Sequence, residues 1–287
     1  MQRILITGGS GFLGHTLTKM LVGKYKVFSA YNKNLIKVNG CIHSHLDITN
    51  YQEVRSVFGD IKPDLVIHAA ALANVEKCEE DPYLAWNINA LGTGNIAWGC
   101  DNIKAKLVYI STDSVYNGER INHSEKEKTK PINSYAKTKL EGEKATLNTN
   151  IVIRTAFFGD KGLAEWVASN LKMGRDIHMF TDALFSPIFT EDLGNIIIKM
   201  WENNLKGIYN VGSGDSCSKY EFGISVAKAF GIDDKLITPV MVDTVKSRIP
   251  RPKSLSLNVS KVEYDLGIKM PTVMEGINRF KDNYGRN

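Results

Sequence analysis

No stretch of this sequence is apolar for anything near the length of a membrane span, and no charged-then-apolar leader opens it. A cytosolic, reducing location is therefore expected, with no membrane partner. Cysteine is scarce: Cys41, Cys78, Cys100 and Cys217 show no C-x-x-C spacing, which argues against a zinc site and offers no disulfide framework. His43 and His45 would share a strand face, but two ligands are too few for a metal, and none is expected. Single-sign charge is missing too. The net charge of +5 is mild and the lysines are spread, so they read as solvated faces with a bias toward nucleotide-like anions, and nucleic acid is not an expected partner. There are no internal repeats or low-complexity tracts. What remains is ordinary globular composition, 43% hydrophobic and 23% charged over 287 residues, enough for one large α/β unit or two joined lobes.

The chain is organised around its start. Arg3-Ile4-Leu5-Ile6-Thr7 reads as a strand, Gly8-Gly9-Ser10-Gly11 as a turn, and residues 12–22 as a helix. This is a phosphate cradle. Gly8 permits positive φ, Gly11 lets backbone approach a pyrophosphate, and Gly14 lets the helix pack closely on the strand. The helix N-terminus then offers unpaired N–H groups to the anion. Gly8, Gly11, Phe12, Leu13 and Gly14 are accordingly the first expected cofactor-binding residues.

Strands are expected at 26–30, 41–46, 64–71 and 107–110, alternating with helices at 50–58 and from Pro82 to about residue 100. Such alternation predicts a doubly wound parallel sheet, a Rossmann domain over residues 1–155. After the second strand come Tyr31-Asn32-Lys33-Asn34. An acidic residue there would bind both ribose hydroxyls of NAD, and its absence favours NADPH, with NADH still possible. Asn32 and Lys33 are placed at the cofactor, and Lys33 and Lys37 could meet a 2′-phosphate. Ala69-Ala70-Ala71 ends the fourth strand in side chains small enough for a cofactor to lie against backbone.

The chemistry lies in Ser111-Thr112-Asp113, at a strand end, and Tyr135-Ala136-Lys137-Thr138-Lys139. On a helix Tyr135 and Lys139 share a face, so the ammonium is expected beside the phenol, lowering its pKa. Thr112 can hydrogen-bond a substrate oxygen. The three form a proton-transfer constellation for a carbonyl or alcohol.

At this point the sequence resembles the extended short-chain dehydrogenase/reductases, and within them the dTDP-4-dehydrorhamnose reductase family. The resemblance runs through the glycine turn, Leu46-Asp47-Ile48-Thr49, Pro63 to Ala71, Asn89-Ala90-Leu91-Gly92-Thr93, Ile110 to Gly118, the Tyr135/Lys139 helix, Arg154-Thr155, Phe189 to Leu193, Gly207 to Val211 and Arg251-Pro252. It implies a catalytic trio of Thr112, Tyr135 and Lys139, with Tyr135 and Lys139 also at the cofactor. It sets Asp47 and Ile48 by the adenine, Ala69 to Ala71 along ribose and diphosphate, and Asn89 in the cofactor set. Ala73, Asn74, Thr112, Asp113, Phe157 and Arg251 are expected at the substrate. The activity implied is reduction of the 4-keto group of a nucleotide-activated deoxysugar by NAD(P)H, in a monomer or homodimer. A branch of the same resemblance, the reductase-like β subunit of methionine adenosyltransferase, leaves a non-catalytic regulatory subunit open, and an epimerase of the same fold is a further alternative.

The departures fall on the sugar side. Ser114 stands where the family usually has tyrosine, Ala156-Phe157 replaces a Ser-Trp pair, and Leu255 and Asn258 replace a serine and an aspartate. His15 takes the place of a carboxylate that bridges metal-linked dimers. Residues 156–287 are expected to form mainly a smaller α/β substrate lobe, with about 187–211 packing back on the nucleotide domain and the strand at 207–211 supporting the smaller lobe. Helices are expected at 163–173, 190–201 and 218–230. The basic run Lys246 to Lys253 is a candidate diphosphate clamp, Arg251 above all.

Overall fold

A computed structural model of the chain describes residues 1–146, 150–244 and 249–285. Its first half alternates strands β1 (Arg3–Thr7), β2 (Lys26–Tyr31), β3 (Ile42–His45), β4 (Leu65–His68), β5 (Lys106–Ile110) and β6 (Ile151–Arg154) with helices α1 (Phe12–Leu21), α2 (Tyr51–Ile61), α3 (Val75–Glu80), α4 (Pro82–Trp86), α5 (Thr93–Ile103) and α6 (Ser134–Thr146). The second half adds short strands β7 (Ala156–Phe158), β8 (Ile177–Phe180), β9 (Leu184–Phe185), β10 (Pro187–Phe189), β11 (Gly207–Asn210), β12 (Cys217–Ser218), β13 (Ile237–Val240) and β14 (Ser254–Leu255). Its helices are α7 (Leu163–Lys172), α8 (Thr190–Glu202), α9 (Lys219–Phe230), α10 (Ser260–Leu266) and α11 (Val273–Asn283).

The fold is α/β, with a seven-stranded sheet in the order β11-β6-β5-β4-β1-β2-β3 and every pairing parallel. The order reverses between β1 and β4, and doubly wound sheets hold ligands at such a switch point, outside the strands' carboxyl ends. Central strands of a parallel sheet are covered on both faces and so need continuous apolar sequence; β4 is wholly buried. One face packs on α1 and α8 through Leu13, Leu17, Leu193 and Ile197, the other on α2 and α5 through Val54, Phe58, Ile96 and Cys100. A separate core in the second half gathers Phe158, Phe185, Phe222, Ile277 and Phe280.

Two expectations change. The strand at 207–211 does not support the smaller lobe: β11 pairs with β6 in register Gly207 to Ile151 and forms an edge of the large sheet. The helix expected from Pro82 is interrupted by a π-helical turn, Asn87–Gly92, between α4 and α5. The cause is Asn89, whose Oδ1 accepts from Leu72 N at 2.8 Å while its Nδ2 donates to Leu72 O at 3.1 Å and Thr138 Oγ1 at 3.0 Å. Widening the helix turns this amide toward the β4–α3 connection, and π-bulges are often found where helices serve functional sites.

Among the described residues, no helix is long and apolar enough to cross a membrane.

Candidate active site

The turn after β1 behaves as its glycines require. Gly8 has φ +68°, and a β-carbon there would lie 2.7 Å from Ala70 N. A β-carbon at Gly14 would stand 2.2 Å from Gly8 O, so α1 reaches the turn only because position 14 has no side chain. Helix α1 starts at Gly11 with no side-chain cap and no acid in its first turn. Its N-terminal N–H groups and positive dipole end are thus left for an anion.

Beside this turn lies a cleft with about 360 Å³ of free space, lined by Gly8, Ser10 and Gly11, by Tyr31 to Asn34 after β2, by Leu46 to Thr49 after β3, and by Ala69, Ala70 and Ala71. No carboxylate ends β2. Burial would raise the Asp47 carboxyl, but hydrogen bonds from Thr49 and Asn32 bring it below the usual carboxylate range. The cradle that β-carbons would fill, the uncapped helix and the Asn32–Lys33 end of β2 fit a dinucleotide carrying a 2′-phosphate.

Gly8, Gly11, Asn32, Lys33, Asp47, Ile48 and Ala69 to Ala71 thus share one cleft. Lys37 is exposed and does not line it. Leu13 is a core residue and Gly14 a packing contact. Phe12 meets Phe157 with ring centroids 5.6 Å apart. Asn89, expected at the cofactor, is fully buried and uses its amide on Leu72 and Thr138; it positions the wall and does not line it. The loop behind that wall is fixed by His68, whose ring nitrogens meet Thr7 Oγ1 at 2.6 Å and Thr93 Oγ1 at 3.0 Å. Burial drops this imidazole to a pKa of about 3, so it is neutral.

Thr112, Tyr135 and Lys139 converge where β5 ends against α6. Thr112, 5% exposed, donates to Asp113 Oδ1 at 3.2 Å and accepts from Ser114 N at 3.2 Å, and its hydroxyl is one of the groups acting on the Tyr135 phenol. Lys139 Nζ donates to Ile110 O at 2.7 Å and lies 4.1 Å from the Tyr109 ring centroid. Here an expectation is corrected. Burial pushes the Tyr135 phenol up to about 12, offset only in part by Thr112, and Lys139 is not among the groups that shift it. Lysine and tyrosine share a helix face, but the ammonium is tied back to strand β5. Burial also lowers Lys139 to about 7, against the opposing pull of Glu143.

Glu143 is one site residue that motif reading missed, although it continues the Tyr135, Lys139 spacing by one more turn. It accepts from Ser111 Oγ at 2.5 Å and from Arg154 Nη2 at 2.7 Å, and Arg154 Nη1 donates to the Tyr116 hydroxyl at 2.9 Å. A second is Lys219, the first residue of α9, whose charge is the largest acting on the Asp113 carboxyl. Burial raises Asp113 to about 6. Of the other substrate candidates, Ala73 is exposed and Asn74 caps α3, accepting from Lys77 N at 2.7 Å. Arg251 pairs with Glu76, joining the second half of the chain to α3. Lys246 and Arg248 lie outside the described residues.

The profile of the RmlD substrate binding domain matches residues 1–286. The chain belongs to the RmlD substrate-binding-domain family. A solved structure of dTDP-4-dehydrorhamnose reductase from Bacillus anthracis in complex with NADP is 31% identical, with a TM-score of 0.90 over 99% of this chain and 100% of that one. The probable low-salt glycan biosynthesis reductase Agl14 of Haloferax volcanii is 28% identical over 95% of each chain. Methionine adenosyltransferase 2 subunit beta of Xenopus tropicalis is 28% identical over 91% of this chain and 82% of its own. This RmlD-family chain is thus similar to proteins named as reductases and to one named as a subunit of another enzyme.

Proposed function

We propose that this protein is an NAD(P)H-dependent oxidoreductase that reduces the 4-keto group of a dTDP-activated deoxysugar, with NADPH the preferred cofactor. The observation that carries the reading is a protonated phenol, Tyr135, whose proton affinity is tempered by a strand-end hydroxyl, Thr112, in a chain whose glycine turn fits a dinucleotide. The likeness to a dTDP-4-dehydrorhamnose reductase bound to NADP over the whole chain supports it.

Gly8, Gly11 and the start of α1 would hold the diphosphate, Asn32 and Lys33 the 2′-phosphate, Asp47 and Ile48 the adenine side, and Lys139 the nicotinamide ribose. When bound, the reduced nicotinamide supplies a hydride. Everything else falls to this chain's side chains. Thr112 would turn its one hydroxyl hydrogen from Asp113 Oδ1 to the ketone oxygen and so orient it. Tyr135 gives its proton to that oxygen as negative charge develops, a downhill transfer because an alkoxide is more basic than a phenolate even when burial holds the phenol near 12. The residues after position 155 form the sugar side, with Phe157 and Arg251 as its candidates. The division into a nucleotide domain over 1–155 and a mainly substrate-binding remainder is part of this reading.

The subunit-like relative favours a second reading, a nucleotide-binding regulatory subunit. The two separate by turnover. The test is NADPH oxidation with dTDP-4-dehydrorhamnose, wild type against Tyr135→Phe. Loss of the general acid is expected to lower the rate by about 10²–10⁴-fold. Equal rates would remove Tyr135 from the mechanism, and no turnover by wild type would favour the regulator.

A further inference from the structure

Glu143 and Arg154 form an ion pair in the interior, with side chains 2% and 4% exposed, where opposite charges gain little over a well-packed apolar pair. The carboxylate is nonetheless fully occupied. It accepts from Ser111 Oγ at 2.5 Å and from Arg154 Nε and Nη2 at 3.0 Å and 2.7 Å. Arg154 Nη1 continues to the Tyr116 hydroxyl, which donates to Asn210 Oδ1 at 3.0 Å. One buried charge thus ties α6 to the ends of β5, β6 and β11.

The place of these ties decides what they do. Three successive residues at the end of β5 meet α6: the Tyr109 hydroxyl donates to Lys139 O at 3.2 Å, Ile110 O accepts from Lys139 Nζ at 2.7 Å, and Ser111 donates to Glu143. Helix and strand approach this closely because position 142 is glycine, where a β-carbon would collide with the Tyr109 hydroxyl. The next residue along the strand is Thr112, and Tyr135 lies one helical turn before Lys139. Glu143 therefore anchors the frame in which Thr112 and Tyr135 are held. It also bears on charge, since among the described residues it is the one opposing charge that acts on Lys139, lowered by burial to about 7. The other titratable groups around that ammonium are neutral near this pH: His68 on β4, with a pKa of about 3, and the phenols of Tyr109 and Tyr135, both raised by burial.

We propose that Glu143, locked by Arg154 and Ser111, is a positioning residue for the reduction: it holds the end of β5 on α6 so that Thr112, Tyr135 and Lys139 keep one arrangement, and it supplies the counter-charge to Lys139. The inference rests on the reductase reading for its kinetic consequence and on the buried cluster alone for its effect on Lys139.

The test uses the full chain as wild type, as Glu143→Gln, and as Glu143→Leu combined with Arg154→Met, which removes both charges so that neither is left buried alone. kcat and KM are measured with dTDP-4-dehydrorhamnose and NADPH. The titration of Lys139 is followed by NMR of lysine labelled at the ε-carbon, its resonance assigned by its absence from Lys139→Met. Because Glu143 touches neither ligand in this reading, both variants are expected to lose about 10–100-fold in kcat, with KM and NADPH affinity within about 3-fold of wild type. Lys139 is expected to titrate about one pH unit or more lower in both variants than in wild type. A merely structural pair would cost stability without moving that titration. A kcat within about 2-fold of wild type in the double variant, or an unmoved Lys139 titration in both variants, would overturn the proposal. Wild type that reduces no sugar would remove the reductase reading and the kinetic half of the inference, leaving the counter-charge to stand or fall on the titration.

Discussion

Lys139 carries a charge whose environment opposes it. Its side chain is 3% exposed, tied to Ile110 O and held near pH 7 by burial, against an ordinary lysine value of 10.5. Between those two values the unfolded chain binds a proton that the folded chain does not, so this group makes stability rise with pH from about 7 to 10.5; below 7 the cost of burying the ammonium is felt in full. Replacing Lys139 with Met should remove that dependence. Denaturant melts of both proteins from pH 7.5 to 9.5 are expected to diverge by about 1 kcal/mol per pH unit, with wild type gaining on the variant as pH rises. Parallel curves would show that the lysine titrates as it does in water. At this scale the sequence was legible in residue types but not in their coupling. Tyr135-x-x-x-Lys139 places both side chains on one face, yet what shifts each of them is burial, and burial depends on Ile110, Tyr109 and Glu143 closing over them.

Among the elements, the β1–turn–α1 unit is the most constrained by its sequence, and its glycines differ in what they do. At Gly14 any side chain would collide with the backbone of Gly8, whereas a β-carbon at Gly59 in α2 would meet nothing within 4 Å. Gly14→Ala should therefore force helix and turn apart, lowering stability and weakening NADPH binding by more than about 10-fold, an effect of a kind with other overpacked sites. Gly59→Ala should stabilise by about 0.4–1 kcal/mol through helix propensity and the unfolded chain's lost freedom. Thermal melts with and without NADPH check both, and equal behaviour of the two variants would contradict the close-packing argument. This unit could be read directly because its glycine spacing and apolar run are local signals. The π-turn at Asn87–Gly92 could not, since it is fixed by Asn89 reaching Leu72 and Thr138, contacts 17 and 49 residues away in sequence.

In the whole molecule the two halves meet along the cleft. Arg251 pairs with Glu76, and Asn133 Nδ2 donates to Pro250 O at 3.4 Å. Neither of these pairings has a sequence signature, because each joins residues brought together only by the finished fold. β11 shows the same limit: its apolar pattern marks a strand, but pairing with β6 is decided by the crossover through α8, which packs on α1. The sheet, the turn and the proposed catalytic side chains stood out in the sequence through periodicity and motif, and the proposed sugar side did not. In the proposed reaction a hydride reaches the sugar carbon inside this cleft while Tyr135 supplies the proton. The most direct measurement is the mass of the sugar product after turnover of dTDP-4-dehydrorhamnose with NADPH deuterated at the transferred position. The account predicts one deuterium fixed at carbon 4 of the product, with Tyr135→Phe leaving almost all of the sugar unreduced; recovery of the sugar from wild type without deuterium at carbon 4 would contradict it.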